Sequence, residues 1–162
     1  MPTALIPLVL VAPLLVWMAY GDLRFLRIPN LLCIALIGVF AASALVAPPP
    51  DLVARLIIAG AIFGIGFVTF CLGLFGGGDV KALSALMLFV PAATLPLFCM
   101  VFSASMMIGI AFVLGLRAIP ATGALDWASM ERSRKFPMGV SIAMAGIAHP
   151  FAVIWLMPEL PI

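Results

Sequence analysis

Residues 52 to 75 read LVARLIIAGAIFGIGFVTFCLGLF, and Arg55 is the single charged side chain in the stretch. A helix needs roughly 20 apolar residues to cross about 30 Å of hydrocarbon, so this run is long enough to span a bilayer. It lacks the period-two alternation of a barrel strand. The rest of the chain repeats the pattern: of 162 residues, 66% are hydrophobic and 9% charged, and the mean hydropathy is +1.35. That composition excludes a soluble globular domain. The fold class it predicts is all-α, a polytopic membrane protein built as a bundle of about six transmembrane helices in one domain over 1–162.

The breaks between spans fall at polar or proline-rich stretches, because a loop cannot leave backbone groups unsatisfied in lipid. Six segments result, at about Leu5–Tyr20, Asn30–Val46, Leu52–Phe75, Asp79–Val90, Leu95–Leu116 and Met138–Met157. The fourth is short for a full crossing unless the Pro91 to Pro96 segment is buried with it. The opening MPTALIPLVLVAPLL has neither the basic n-region nor the A-x-A site of a cleaved signal peptide, so it is expected to be a retained helix.

Lys and Arg near span ends stay on the cytoplasmic side. With six spans, Arg24, Arg27, Lys81, Arg117, Arg132, Arg134 and Lys135 share one face, and Arg55 lies opposite, four residues after Asp51. The expected orientation puts that basic face in the cytoplasm and both termini outside. Cys33, Cys71 and Cys99 lie in apolar spans without CxxC spacing, which argues against a disulfide framework and against zinc, and they are read as packing residues. Neither a metal, a cofactor nor a nucleic-acid partner is expected; the lipid bilayer is the obligatory surrounding.

Four of the six acidic residues have loop positions: Asp51 and Glu159 outside, Asp126 and Glu131 in the basic loop. Asp22 and Asp79 remain, at the end of the first span and the start of the fourth, hence at similar depth on the same side. Carboxylates at a membrane boundary are costly and usually face the bundle interior, a cavity or a partner. Two that share a site hold one proton between them near neutral pH. Such a pair can activate water with its ionised member and polarise a carbonyl with the protonated one. Asp79 near a helix N-terminus favours the anion and Asp22 near a C-terminus disfavours it, so Asp22 is expected to carry the shared proton more often. Gly76, Gly77 and Gly78 before Asp79 offer close backbone approach, positive φ and a flexible exit from the third span, or a turn capped by Asp79.

These residues resemble the type IV prepilin leader peptidases, membrane aspartic proteases with a G-x-G-D signature. Gly76-Gly77-Gly78-Asp79 fits that signature and Val80-Lys81 its G-x-G-D-x-K extension. DLRFLRIPN is similar to the first catalytic segment, with Asp22, a basic element at Arg24 or Arg27, and Ile28-Pro29-Asn30 as its close. FPMGVSIAMAG is similar to a third patch: Pro137 and Gly139 match, Met138 stands where an aromatic is common, and Val140 replaces a proline.

The resemblance implies catalysis by Asp22 and Asp79, with Gly76, Gly77, Gly78, Lys81, Arg24, Arg27, Pro29, Asn30, Pro137 and Gly139 supporting the site or the substrate. It implies a prepilin partner, with a basic leader in the cytoplasm and an apolar helix in the plasma (inner) membrane, cut at the boundary. Longer relatives carry a cysteine-bearing cytoplasmic domain between the first two spans and also N-methylate. Here that loop is short and lacks cysteine, which resembles the peptidase-only branch serving tight-adherence (Flp, type IVb) pili.

Other residues carry blander readings. Lys81 either acts on Asp79 or the substrate, or anchors its helix. His149 before Pro150 is expected to bond a carbonyl freed by the proline rather than relay protons. Gly60 and Gly64 form a GxxxG element for packing inside the bundle or for a homo-oligomer. ALDWASMERSRK suits a short helix at the membrane surface. The rival from another class is a small proton- or cation-coupled transporter, or an assembly subunit, with Asp22 and Asp79 binding ions. A signal-peptide-peptidase or presenilin type of protease is a nearer rival; its first motif is Y-D, whereas Gly21 separates Tyr20 from Asp22 here.

Overall fold

In the computed structural model, residues 5–119, 127–129 and 136–159 are described, and among them every regular element is helical. The chain runs α1 (Ile6–Leu10), α2 (Ala12–Phe25), α3 (Asn30–Val46), α4 (Leu52–Cys71), α5 (Gly77–Met87), a 3₁₀ turn (Ala92–Thr94), α6 (Leu95–Ala118) and α7 (Met138–Leu156). Three segments, Leu52–Cys71, Ala92–Ala118 and Met138–Leu156, are long and apolar enough to cross a membrane, and Asn30–Val46 is a shorter apolar helix. Large hydrophobic side chains cover the outside, among them Trp17, Leu31, Leu45, Val53, Phe67 and Met107. Exposed apolar surface on this scale, on helices long and apolar enough to cross a membrane, fits a surrounding of acyl chains. The molecule is an all-α integral membrane bundle.

The helix bounds depart from the expected spans in three places, the first being that α2 runs past Tyr20 to Phe25 and so includes Asp22. The first span is interrupted at Val11, whose N–H bonds Pro7, and α2 restarts there with proline in its first turn, where a missing N–H costs nothing. The third ends at Cys71 rather than Phe75. Gly73 takes φ +73 in the following turn, a left-handed conformation that glycine adopts without a Cβ penalty.

The bundle is organised around α7 and α5. α7 packs on α2, α6 and α5, and α5 in turn on α4 and α3. α5 is short but buried: Val80, Ala82 and Ser84–Met87 are inside, and Leu88, Phe89, Val90, Pro91 and Thr94 continue inward, as the short fourth segment requires. α4 packs chiefly on α5 and the 3₁₀ turn and turns most of its surface outward. Its closest approach is at Gly66, where a Cβ would stand 2.6 Å from a Val80 methyl. A Cβ added to Gly60 or Gly64 would meet no other part of the molecule within 4 Å, so the GxxxG element faces away from the bundle. The expectation that it packs internally is corrected: the small residue that lets α4 and α5 meet is Gly66.

At the end where α3 leads into α4, Asp51 and Arg55 pair as their i,i+4 spacing suggests, with Nε to Oδ1 at 2.7 Å. Arg55 is only 2% exposed and also donates to the Phe89 carbonyl at 3.1 Å, while Asp51 Oδ2 accepts the Ala92 N–H at 2.8 Å. Burial works to raise the Asp51 carboxyl, but the Ala92 N–H and the Arg55 guanidinium overcome it and hold the group below its ordinary value. Deeper in, His149 is fully buried, and its Nε2 lies 3.0 Å from Thr94 Oγ1, not against a carbonyl released by Pro150. Since the Thr94 hydroxyl gives its proton to the Pro91 carbonyl, Nε2–H is the donor to Thr94. That bond satisfies Nε2 only; the buried Nδ1 has no partner among the described residues.

Candidate active site

The α2 helix ends where Leu26 enters the left-handed region at φ 50, its N–H closing on the Asp22 carbonyl. This puts Asp22 in the last turn of α2, facing inward and 4% exposed. α7 begins beside it. Pro137 is its N-cap, and the Gly139 N–H, one of the amides without an intrahelical acceptor, donates to Asp22 Oδ2 at 2.6 Å. A Cβ on Gly139 would stand 2.8 Å from the same oxygen, so only glycine allows this contact. Asp22 therefore sits at the C-terminus of its own helix and at the N-terminus of another. The helix-end basis for giving it the shared proton is offset by that second terminus.

Asp79 lies in the first turn of α5, after the Gly76 N-cap. The preceding glycines all serve close packing, though not through positive φ: Gly76 has φ −74, and Gly77 and Gly78 are already helical. A Cβ on Gly76 would meet Asp79 Oδ2 at 2.5 Å, and one on Gly78 would lie 3.2 Å from Ile28 Cβ. Gly77 faces the Phe70 ring. What approaches the glycines here is the chain itself. The left-handed glycine is Gly73, four residues before the α5 helix starts.

Asp22 and Asp79 line one cavity of about 590 Å³, together with Leu26, Gly73, Leu74, Phe75, Gly76, Met106, Phe136 and Met138. The two carboxylates are close enough for their charges to repel. None of these lining residues is basic. An apolar slot of about 140 Å³ adjoins through the shared residues Phe75, Asp79 and Met138, and runs along Ile62, Ile65, Gly66 and Thr69 of α4. Two carboxylates in a chamber of that size, walled otherwise by apolar and glycine residues, can act together on a water and on a bond admitted beside it.

The supporting residues divide. Gly76, Gly139 and, through the N-cap, Pro137 belong to the aspartate site, with Gly77 and Gly78 in the packing just behind it. Lys81 does not line this cavity: its Nζ donates to Asn30 Oδ1 at 3.0 Å, and both line a separate groove with Cys33, Ile34 and Ala59. Arg24 is exposed, donates to the Tyr20 hydroxyl at 2.8 Å and covers the Phe25 ring. Arg27 and Pro29 are exposed on the link between α2 and α3. Cys33 is buried and Cys71 and Cys99 exposed, all three unbonded.

Leu26, Phe75, Met106 and Phe136 were not expected in the site. Leu26 and Phe75 each lie four residues from an aspartate, but Met106 and Phe136 reach the cavity only through packing. Most of the presumed surface helix at ALDWASMERSRK, with Asp126, Glu131, Arg132, Arg134 and Lys135, lies outside the described residues. Of its described part, Ala128 and Ser129 donate their N–H groups to the Arg24 and Leu23 carbonyls, and Trp127 meets Tyr20 edge-on, 6.1 Å between centroids.

Searches of curated proteins and of solved structures return no match to the chain. The profile of the type IV leader peptidase family matches residues 9–114, a stretch that holds both aspartates and the whole of α2 to α5. A profile match over most of the chain, on a membrane bundle that brings Asp22 and Asp79 to one cavity, identifies the protein as a member of the type IV leader peptidase family, a peptidase acting on prepilins.

Proposed function

We propose that the chain is an aspartic endopeptidase of the plasma (inner) membrane that removes the short basic leader of a type IV prepilin at the cytoplasmic face. Asp22 and Asp79 are its catalytic pair and both termini lie outside. The observation that carries this reading is the shared cavity: two carboxylates from different helices, without a cation among the described lining residues, one of them fixed by the Gly139 N–H.

The ionised carboxylate takes a proton from water, and the oxygen of that water bonds to the scissile carbonyl carbon. The protonated carboxyl gives its proton to the carbonyl oxygen. When the tetrahedral intermediate collapses, one of its hydroxyls returns a proton to the carboxylate that had given one up, the C–N bond breaks, and the other carboxyl protonates the leaving amine. Both groups act in each turnover, so neither suffices alone. The short, cysteine-free link between α2 and α3 supports a peptidase-only member of the tight-adherence (Flp, type IVb) branch rather than one that also methylates.

The test is incubation of the purified protein in detergent with a prepilin-like peptide, comparing wild type with Asp22→Ala and Asp79→Ala. Cleavage by the wild type alone supports the reading. Turnover that survives in either variant would sink it.

A further inference from the structure

A groove of about 450 Å³ lies between α3, α4 and α5, on the side of α5 away from the aspartates, and shares no lining residue with their cavity. Its floor is apolar: Cys33, Ala59, Ala85 and Leu88 are buried, and the buried Ser84 hydroxyl is committed to the Val80 carbonyl. Its rims are Ile34, Ile37 and Phe63, all exposed on the lipid-facing surface, so the groove opens sideways to the bilayer. One end is polar. There Lys81 Nζ donates to Asn30 Oδ1, which leaves two ammonium N–H groups and the Asn30 amide to act as donors. Asn30 is the first residue of α3, so the amides of that helix start add positive potential at the same place. The described lining residues include no carboxylate.

We propose that this groove holds an anionic phospholipid, with its phosphate on Lys81 and Asn30 and one acyl chain along Ile34, Ile37, Ala59, Phe63 and Leu88. Charge selects the occupant. A cation and amide donors at the mouth suit a phosphate, and the absence of an acidic lining residue gives a choline or ethanolamine ammonium nothing to pair with. The substrate's apolar helix is disfavoured as occupant, because the groove shares no lining residue with the cavity that holds both aspartates. Lys81 thereby has a role of its own, anchoring α5 to α3 through a bound lipid.

The experiment uses the full chain, purified and delipidated in non-ionic detergent. Its unfolding midpoint is followed on adding phosphatidylglycerol, phosphatidylcholine with the same acyl chains, or inorganic phosphate. Phosphatidylglycerol is expected to raise the midpoint by about 5 °C near saturation, with phosphatidylcholine and phosphate giving less than half of that. Lys81→Gln, at an exposed position, should reduce the phosphatidylglycerol response to the phosphatidylcholine level. Ala59→Phe should remove the response although Lys81 remains. Equal responses to the two lipids, a full response to inorganic phosphate, or an unchanged preference in Lys81→Gln would each overturn the proposal. So would displacement of bound phosphatidylglycerol by a prepilin-like peptide.

Discussion

At one end of α4, Asp51 meets Arg55 at 2.7 Å and takes the Ala92 N–H with its other oxygen. Past the other end, Asp79 shares a cavity with Asp22 and finds no cation among the described lining residues. Both are polar clusters in a molecule that is otherwise apolar. In the first, charge is cancelled and the guanidinium also reaches the Leu88 and Phe89 carbonyls, which closes α5 onto α4. In the second, like charges face each other across open space. A fold gains nothing from a repulsive pair, whereas a catalyst needs one of the two carboxyls protonated and the other ionised. The contrast separates a clamp from a site.

The strongest way to break that contrast is at the carboxylates. Asp22→Asn and Asp79→Asn should each lower cleavage of a prepilin-like peptide by at least about 10³-fold, while the unfolding midpoint stays level or rises, because a repulsion is removed. A variant that loses activity and stability together would make the pair structural. The mirror experiment is Arg55→Met. Removing the cation strands Asp51 and two carbonyls, and should cost about 3 kcal/mol, toward the low end for a buried pair because Asp51 is partly open to solvent. Cleavage per folded molecule should be preserved when measured well below the unfolding transition.

Gly139→Ala tests the site more gently. The new Cβ would push on Asp22 Oδ2, and displacement of a reacting group by about 1 Å can cost on the order of 10²-fold. The loss should fall on kcat and alter the pH–rate profile, with little change in KM. The smallest effect concerns the clamp's titration. Because the folded state holds the Asp51 carboxyl below its ordinary value, its contribution is present above the unfolded pKa, about 4, and is lost as pH falls through the lower folded value. Wild type should therefore unfold at a higher temperature than Asp51→Asn at pH 6, and the two midpoints should converge as pH falls through the lowered folded value of Asp51.

Much of the fold was legible because the bilayer leaves so few options. Apolar runs bounded by proline and charge can only be helices, and α3, α6 and α7 begin and end within a few residues of the expected limits. The i,i+4 spacing of Asp51 and Arg55 was enough to name the pair, since a helix fixes that separation by itself. Less was legible where the outcome depends on which helix faces which. Gly60 and Gly64 read as a packing motif, yet Gly66 holds that place, because periodicity gives a helix its faces without saying which one meets a neighbour. His149 was expected to serve the kink of its own helix and instead meets Thr94, 55 positions away.

The sequence by itself determined that this chain is a membrane bundle of helices, roughly where most of them lie, and that Asp22 and Asp79 stand at helix ends from which they can meet, as they do in one cavity. Those conclusions rest on local quantities: hydropathy, helix rise and the cost of an unpaired charge in lipid. Only the tertiary structure decided that the start of α7 delivers its Gly139 N–H to Asp22, and that Lys81 turns to Asn30 and away from the aspartates. Those contacts join residues 117 and 51 positions apart. Their geometry depends on how whole helices dock, and no local pattern in the chain encodes it.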